Sequence, residues 1–377
     1  MSAVRVVHMT SVHSAMDHRI FGKECRSLAR AGFDVTIVGP HPVDTIADRV
    51  NIRSVEKDHR RLGRMTRTAW RVYREARRQD ADVYHFHDPE LIPAALLLRA
   101  AGKIVVYDVH EDFPKDIVAT KSYLPSWSRK VVARMVGGME SLACRYFSAV
   151  VAATPHIAER LRPVNRRTVI ILNYPPDLDQ LIGPDAGPSW AARRKSVTYI
   201  GTFMTQRGIG EMMKAIAQLP ESLGATLEII GSEFPEELRR HPGWARVNYY
   251  GGLDARSMFR ILQNVRAGLI IHHPIATFVE SVPVKMFEYM AAGLPLIASD
   301  FPLWREMLQG IECTLFVNPL DPRQIADAIE YLMTHDREAE EMGMRGQAAI
   351  FERFNWNTQA EKLVNLYTGL ANNACAG

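Results

Sequence analysis

The 377-residue sequence predicts an α/β protein built from two doubly wound parallel sheets. Three observations lead there. Short β-branched runs alternate with helical stretches along nearly the whole chain. The alternation breaks at one Pro/Gly-rich seam. The length exceeds one ordinary core and suits two domains of about 150–200 residues.

In the first half, strands are expected at Val4–Met9, Asp34–Val38, Val83–Phe86, Ile104–Tyr107, Ala149–Ala152 and Val169–Leu172. Helical patterns at Arg19–Ala31, Arg60–Arg78, Glu90–Ala101 and Arg129–Arg145 lie between them and supply the crossovers that parallel strands need. The seam runs from Asn173-Tyr174-Pro175-Pro176-Asp177 through Gly183-Pro184 to Gly187-Pro188. It sets a first domain of residues 1–175 and a second of 176–356. Second-half strands are expected at Ser196–Ile200, Thr226–Ile230, Val247–Tyr250, Ala267–Ile271, Leu294–Ala298 and Thr314–Val317. Three helical stretches follow Asp321. The last has the apolar spacing of a docking helix, and residues 357–377 are expected to pack back onto the first domain. Doubly wound sheets take ligands at the carboxyl ends of their strands, so two facing sheets would define one cleft.

The composition is that of an ordinary globular protein, 47% hydrophobic and 23% charged. A net charge of +4 does not indicate a nucleic-acid partner. Cys25, Cys144, Cys313 and Cys375 show no ligand spacing, which suits reduced thiols in a cytoplasmic protein. No leader or membrane-spanning segment is expected, so any membrane contact would be peripheral.

The most informative segment is Glu280-Ser281-Val282-Pro283-Val284-Lys285-Met286-Phe287-Glu288. Pro283 suits a first helical turn, and Gly293 with Pro295 ends the helix near Ala292. Backbone amides over Ser281–Lys285, the helix dipole and the Lys285 ammonium together make a site for a phosphate. A lysine in the first turn opposes the dipole, so a bound anion accounts for it more simply than an ordinary surface helix does.

Glu280 and Glu288 with the run EYMAAGLPLIASD resemble the E-x7-E signature of glycosyltransferase family 4, retaining enzymes of the GT-B fold. The resemblance extends to YIGTFMTQRGIGEMMKAI, EIIGS, YYGGLDARSMFRIL, DPRQIADAIEYLM and FNWNTQAEKLVNLY, and in the first half to HDPEL and YDVHEDFP. It implies a transferase that moves a sugar from a UDP- or GDP-sugar to a sugar or lipid-linked acceptor, serving bacterial surface polysaccharide or glycoconjugate synthesis. Neither a cofactor nor a metal is implied. Glu288 matches the residue on the ribose hydroxyls, and Glu280 the one by the transferred sugar. Arg207 before Gly208 matches the phosphate-loop cation. The family often carries Gly-Arg where this chain has Gly201-Thr202, and Lys285 is the candidate replacement. His110 matches the histidine facing the donor sugar. The implied donor site is thus Thr202, Arg207, Gly208, Ser281, Val282, Pro283, Val284, Lys285 and Glu288, with His110 and Glu280 catalytic. Rival readings are a non-catalytic nucleotide-sugar-binding subunit and an inverting transferase or epimerase of the same fold.

Other polar residues carry less. His85 and His87 point the same way on a strand, but no third metal ligand lies at a useful spacing. His272 and His273 point to opposite faces. Asp80-Ala81-Asp82 matches a metal–diphosphate motif but lies at the wrong end of its strand. The loop after the first strand offers His13, Asp17 and Arg19 for acceptor recognition, with helix capping as the alternative for Asp17. Finally, Arg60, Arg64, Arg67, Arg71, Arg74 and Arg78 fall on one helix face, opposite Leu62, Met65, Ala69, Val72, Tyr73 and Ala76. Such a stripe repels itself unless an anionic partner relieves it, which points to acidic lipid on the inner face of the plasma membrane.

Overall fold

The computed structural model describes residues 3–110, 112–120, 125–175 and 187–375. Glu111 and the part of the expected seam at 176–186 lie outside these residues. The chain forms two units, Met1–Asn173 with Trp356–Gly377, and Tyr174–Asn355.

The first unit holds an eight-stranded sheet: β1 (Arg5–Met9), β2 (Asp34–Gly39), β3 (Thr45–Ala47), β4 (Val50–Ser54), β5 (Val83–Phe86), β6 (Ile104–Val109), β7 (Ala149–Ala152) and β8 (Thr168–Ile170). Its order is β3-β4-β2-β1-β5-β6-β7-β8. Every pairing is parallel except β3 with β4. The sequence reading has no strand between β2 and β5. The β3–β4 hairpin escapes it because the turn is Asp48-Arg49, with φ of 47° and 64°, rather than the Asn-Gly that signals such a turn.

The second unit holds β9 (Ser196–Ile200), β10 (Thr226–Ile230), β11 (Val247–Tyr249), β12 (Ala267–Ile270), β13 (Leu296–Ser299) and β14 (Thr314–Val317). All are parallel in the order β11-β10-β9-β12-β13-β14. This is the doubly wound order that reverses between its first and fourth strands. In the first unit the same reversal falls between β1 and β5.

Continuous β-branched runs such as Val6-Val7 and Val150-Val151 are buried on both faces, as helix-covered parallel strands require. The helix Trp356–Cys375 places Trp356, Leu363, Tyr367 and Leu370 in the first unit's core against β1, β2 and β4. Among the described residues no helix is long and apolar enough to cross a membrane.

Candidate active site

In the second unit, β9 runs into the loop Gly201–Gly208 at the point of strand reversal, and β12 runs toward the helix Val284–Ala291. The Tyr289 hydroxyl accepts the Ile200 N–H at 2.9 Å, tying that helix to the end of β9. Trp304 Nε1 donates to the Ser281 carbonyl at 2.7 Å and fixes the loop before the helix. Gly208 adopts φ 70°, and a Cβ there would stand 2.0 Å from the Ile271 carbonyl, so the loop needs glycine.

Lys285 and Arg207 converge on Gly201. A Cβ at Gly201 would lie 2.9 Å from Lys285 Nζ and 3.3 Å from Arg207 Nη1. Lys285 is 7% exposed, and its Nζ has no hydrogen-bond partner. It sits 4.1 Å from the centre of the Tyr199 ring. Burial first, then the Arg207 charge, pushes its ammonium down to about 7, while Glu288 pulls the other way. Beside it, His272 is buried with both ring nitrogens unpartnered, and burial followed by Lys285 and Arg207 lowers it to about 3. Two crowded cations beside a neutral imidazole fit an incoming phosphate anion.

The amide set is smaller than the sequence reading has it. Pro283 has no N–H, and the Ser281 N–H bonds the Phe278 carbonyl at 3.3 Å, which leaves Val282, Val284 and Lys285. Thr202 is exposed, and its carbonyl takes the Tyr199 hydroxyl at 2.7 Å. Glu280 and Glu288 are half-buried before and within the helix.

In the first unit, the ends of β1, β5 and β6 gather a polar network that the sequence reading resolves only in part. Asp88 accepts from Thr10 Oγ1 (2.7 Å) and from the amides of Ser11 (2.7 Å) and Val12 (3.1 Å), and it pairs with His13 at 3.0 Å. Burial alone would raise Asp88, but His13 and these donors hold it well below the usual carboxylate range. His13 thereby lies beside His110, ring centres 5.6 Å apart.

Arg19 is corrected as an acceptor contact. It is 6% exposed, forks onto Asp108 (3.1 and 3.2 Å), pairs with Glu24 (3.1 Å) and donates to the Ile171 carbonyl (3.0 Å). Asp17 caps: its Oδ1 accepts the amides of Arg19 (2.8 Å) and Ile20 (3.0 Å) at the start of a π-helical turn, Ile20–Cys25.

The third partner missing for His85 and His87 comes from elsewhere in the chain. His8 lies opposite His85 in register, and the ligand-type atoms of His8, Glu24, His85 and His87 fall within 4.8 Å of one another. These atoms are largely engaged already. His8 Nδ1 meets His87 Nε2 at 2.9 Å, His85 Nδ1 meets the Tyr367 hydroxyl at 2.7 Å, and Glu24 pairs with Arg19. The histidines are therefore largely tied into a hydrogen-bond network, while His85 Nε2 and both Glu24 oxygens have no hydrogen-bond partner and Glu24 has the Arg19 ion pair. His273 bonds Glu211 at 3.1 Å and does not join His272 beside Lys285.

A doubly wound sheet with two cations at its reversal point is suited to nucleotide binding, and comparison with known proteins narrows this. Residues 23–174 match the family described as Glycosyltransferase Family 4, and residues 207–365 match one described as Glycosyl transferase-like. The chain is 25% identical over 300 residues to a phosphatidyl-myo-inositol mannosyltransferase of Mycobacterium leprae, covering 78% of this chain and 74% of that one. It is 26% identical over 184 residues to a GDP-mannose-dependent alpha-(1-6)-phosphatidylinositol monomannoside mannosyltransferase of Mycobacterium tuberculosis, 47% of this chain and 48% of that one. In fold it is similar to a sucrose-phosphate synthase from Thermosynechococcus elongatus, with TM-score 0.74, 18% identity and 98% and 100% of the two chains covered. It is also similar to Anabaena HepE in complex with UDP-glucose, with TM-score 0.67, 14% identity and 97% and 99% covered. The chain belongs to glycosyltransferase family 4 and has the GT-B fold. It is a glycosyltransferase that uses a nucleotide sugar.

Proposed function

We propose that the protein transfers a sugar from a UDP- or GDP-sugar to a lipid-linked or sugar acceptor, with retention of anomeric configuration and without a divalent metal, in surface glycoconjugate synthesis. The observation that carries this reading is the buried, unpartnered Lys285 ammonium beside Arg207 at a helix start. Those charges supply the neutralisation that a metal gives other diphosphate sites. Glu288 takes the ribose hydroxyls, while Glu280 and His110 address the transferred sugar. The bond from the anomeric carbon to the diphosphate breaks toward Arg207 and Lys285. The acceptor oxygen then bonds to the same face, and the departing phosphate takes its proton. The lipid acceptor rests on the similarity to the phosphatidylinositol mannosyltransferases, and the choice of nucleotide on the GDP-mannose-dependent relative and on the UDP-glucose complex. The cytoplasmic face of a membrane is where such an acceptor and a nucleotide sugar meet.

The test is a thermal-shift screen of UDP-, GDP- and ADP-sugars, then transfer assays with the stabilising donor in excess EDTA. Retention is read from the anomeric coupling of the product. Loss of transfer in EDTA with rescue only by a divalent ion overturns the metal-free scheme, and an inverted product overturns retention.

A further inference from the structure

The network beneath His110 has a direction, because it contains a carboxylate that can only accept. Asp108 is fully buried and receives Arg19 Nε and Nη2 at 3.2 and 3.1 Å. Its Oδ2 lies 2.7 Å from His110 Nε2 and 3.4 Å from His87 Nδ1. Burial would raise Asp108, but Arg19 and His110 hold it well below the ordinary range, so it is ionised. Burial and then the neighbouring Asp108 push Glu24 well above its ordinary range, which makes Glu24 the proton-holding carboxyl. One buried carboxylate therefore faces one buried guanidinium, and the charges balance without a further cation.

An ionised acceptor at 2.7 Å requires a proton on His110 Nε2. His87 Nδ1 lies 3.1 Å from that same nitrogen and 3.4 Å from Asp108 Oδ2, and His87 Nε2 meets His8 Nδ1 at 2.9 Å. Burial lowers both His8 and His87, the latter to about 4, so both rings are neutral and each carries one ring proton. The contact that sets the His110 proton is therefore the short one to Asp108.

We infer that Asp108 is a positioning residue that locks His110 in its Nε2–H tautomer, so that His110 presents Nδ1 and meets the transferred sugar as a hydrogen-bond acceptor. The ligand group it selects is one that donates, such as a free sugar hydroxyl. This deepens the proposed transferase reading and rests on it only for the identity of the ligand. The tautomer itself is a property of the protein without substrate.

Two measurements test the inference. Long-range ¹H–¹⁵N correlation spectra of the wild-type protein, with His110 assigned by the signals lost in His110→Gln, should show the Nε2–H pattern. Asp108→Asn places an amide N–H where the carboxylate was and should turn His110 to Nδ1–H. In that variant kcat should fall by about 100-fold or more, as when a catalytic histidine is left in the wrong tautomer. Donor KM should change far less. An Nδ1–H pattern in the wild type overturns the inference, as does a folded Asp108→Asn protein with undiminished kcat. Should the variant fail to fold, the wild-type spectrum decides alone. If the wild type transfers no sugar from any donor, the transferase reading falls while the tautomer still stands or falls on its spectrum.

Discussion

Lys285 shows how a single side chain can point to an anionic ligand. Its ammonium, brought down to about 7 by burial and by Arg207, is disfavoured above neutral pH. Between about pH 7 and its ordinary value the unfolded chain holds the proton and the folded one does not, so this group makes stability rise with pH across that window. On the proposed reading a bound diphosphate would restore the charge, so donor binding would take up a proton above pH 7. Donor affinity should therefore weaken by up to about tenfold per pH unit above 7 and be insensitive to this group below it. Lys285→Met should weaken binding at pH 6.5 and flatten the slope to pH 8.5, as read by titration calorimetry. An unchanged slope in that variant removes Lys285 from the cradle. Glu288→Ala should cost about 1.5–3 kcal/mol of donor affinity through one lost charged hydrogen bond, whereas Glu280→Ala and His110→Ala should act mainly on kcat. Lys285 was legible in the sequence because a lysine in a first turn breaks a local rule. Asp108 and Glu24 were not, and His272 appeared only as one of two adjacent histidines. Asp108 becomes conspicuous through burial and through Arg19, 89 residues away, Glu24 through burial beside that same pair, and His272 through burial beside Lys285 and Arg207.

At the scale of elements, the sequence placed most strands because buried parallel strands read as β-branched runs. It missed β3 and β4, whose turn lacks glycine. It also misjudged one helix. The segment from Arg61 to Arg78 is helical, with a π-turn at Arg64–Thr68, and buries Ala69, Val72, Tyr73 and Ala76 as expected. Leu62 and Met65 are exposed instead, as is Trp70. The arginines are also less mutually exposed than their spacing implies. Arg64 pairs with Glu90 at 2.7 Å, Arg71 with Glu56 at 3.1 Å, and Arg67 approaches Asp58 at 3.8 Å. Relief of repulsion therefore no longer demands a partner, and the case for lipid passes to the exposed Trp70, which lies on the side of the helix that carries Arg67, Arg71 and Arg74. Such a face combines an aromatic anchor with basic charge. We expect salt-sensitive sedimentation with anionic vesicles, and little with neutral ones. Reversing Arg67, Arg71 and Arg74 to Glu, with Arg64 left on Glu90, should weaken the binding by about 3 kcal/mol, near 100-fold. Equal binding to both vesicle types would sink the idea.

At the scale of the whole molecule, the order of the chain differs from the order of its cores. The first unit is closed by residues that follow the entire second unit, since the chain leaves it after Asn173 and returns at Trp356. What returns is an integral part of that core. Leu363 and Tyr367 are fully buried, Leu370 and Trp356 nearly so, and they join Val6, Val35, Ile37 and Ile52. Trp356 Nε1 donates to Ser27 Oγ at 2.8 Å, and Gln359 Oε1 accepts the Leu172 amide at 3.1 Å. Tyr367 meets His85, so the same helix also seats the histidine network that ends at His110. Four large side chains at about 1.5–3 kcal/mol each contribute about 6–12 kcal/mol of burial, comparable to the net stability of a whole domain. A chain ending at Asn355 should therefore lose the first unit and keep the second, whose core residues all lie between Tyr174 and Asn355. Pulsed limited proteolysis should digest residues 1–173 of that truncated protein rapidly, while a fragment near 174–355 persists. Thermal unfolding should lose one transition, and donor nucleotide should still protect the other. Adding a peptide of residues 356–377 should restore some protection to the first unit. If the truncated chain keeps its first unit as resistant as in the full protein, the last helix is only a surface attachment, and the seat it gives to His85 has no part in holding His110.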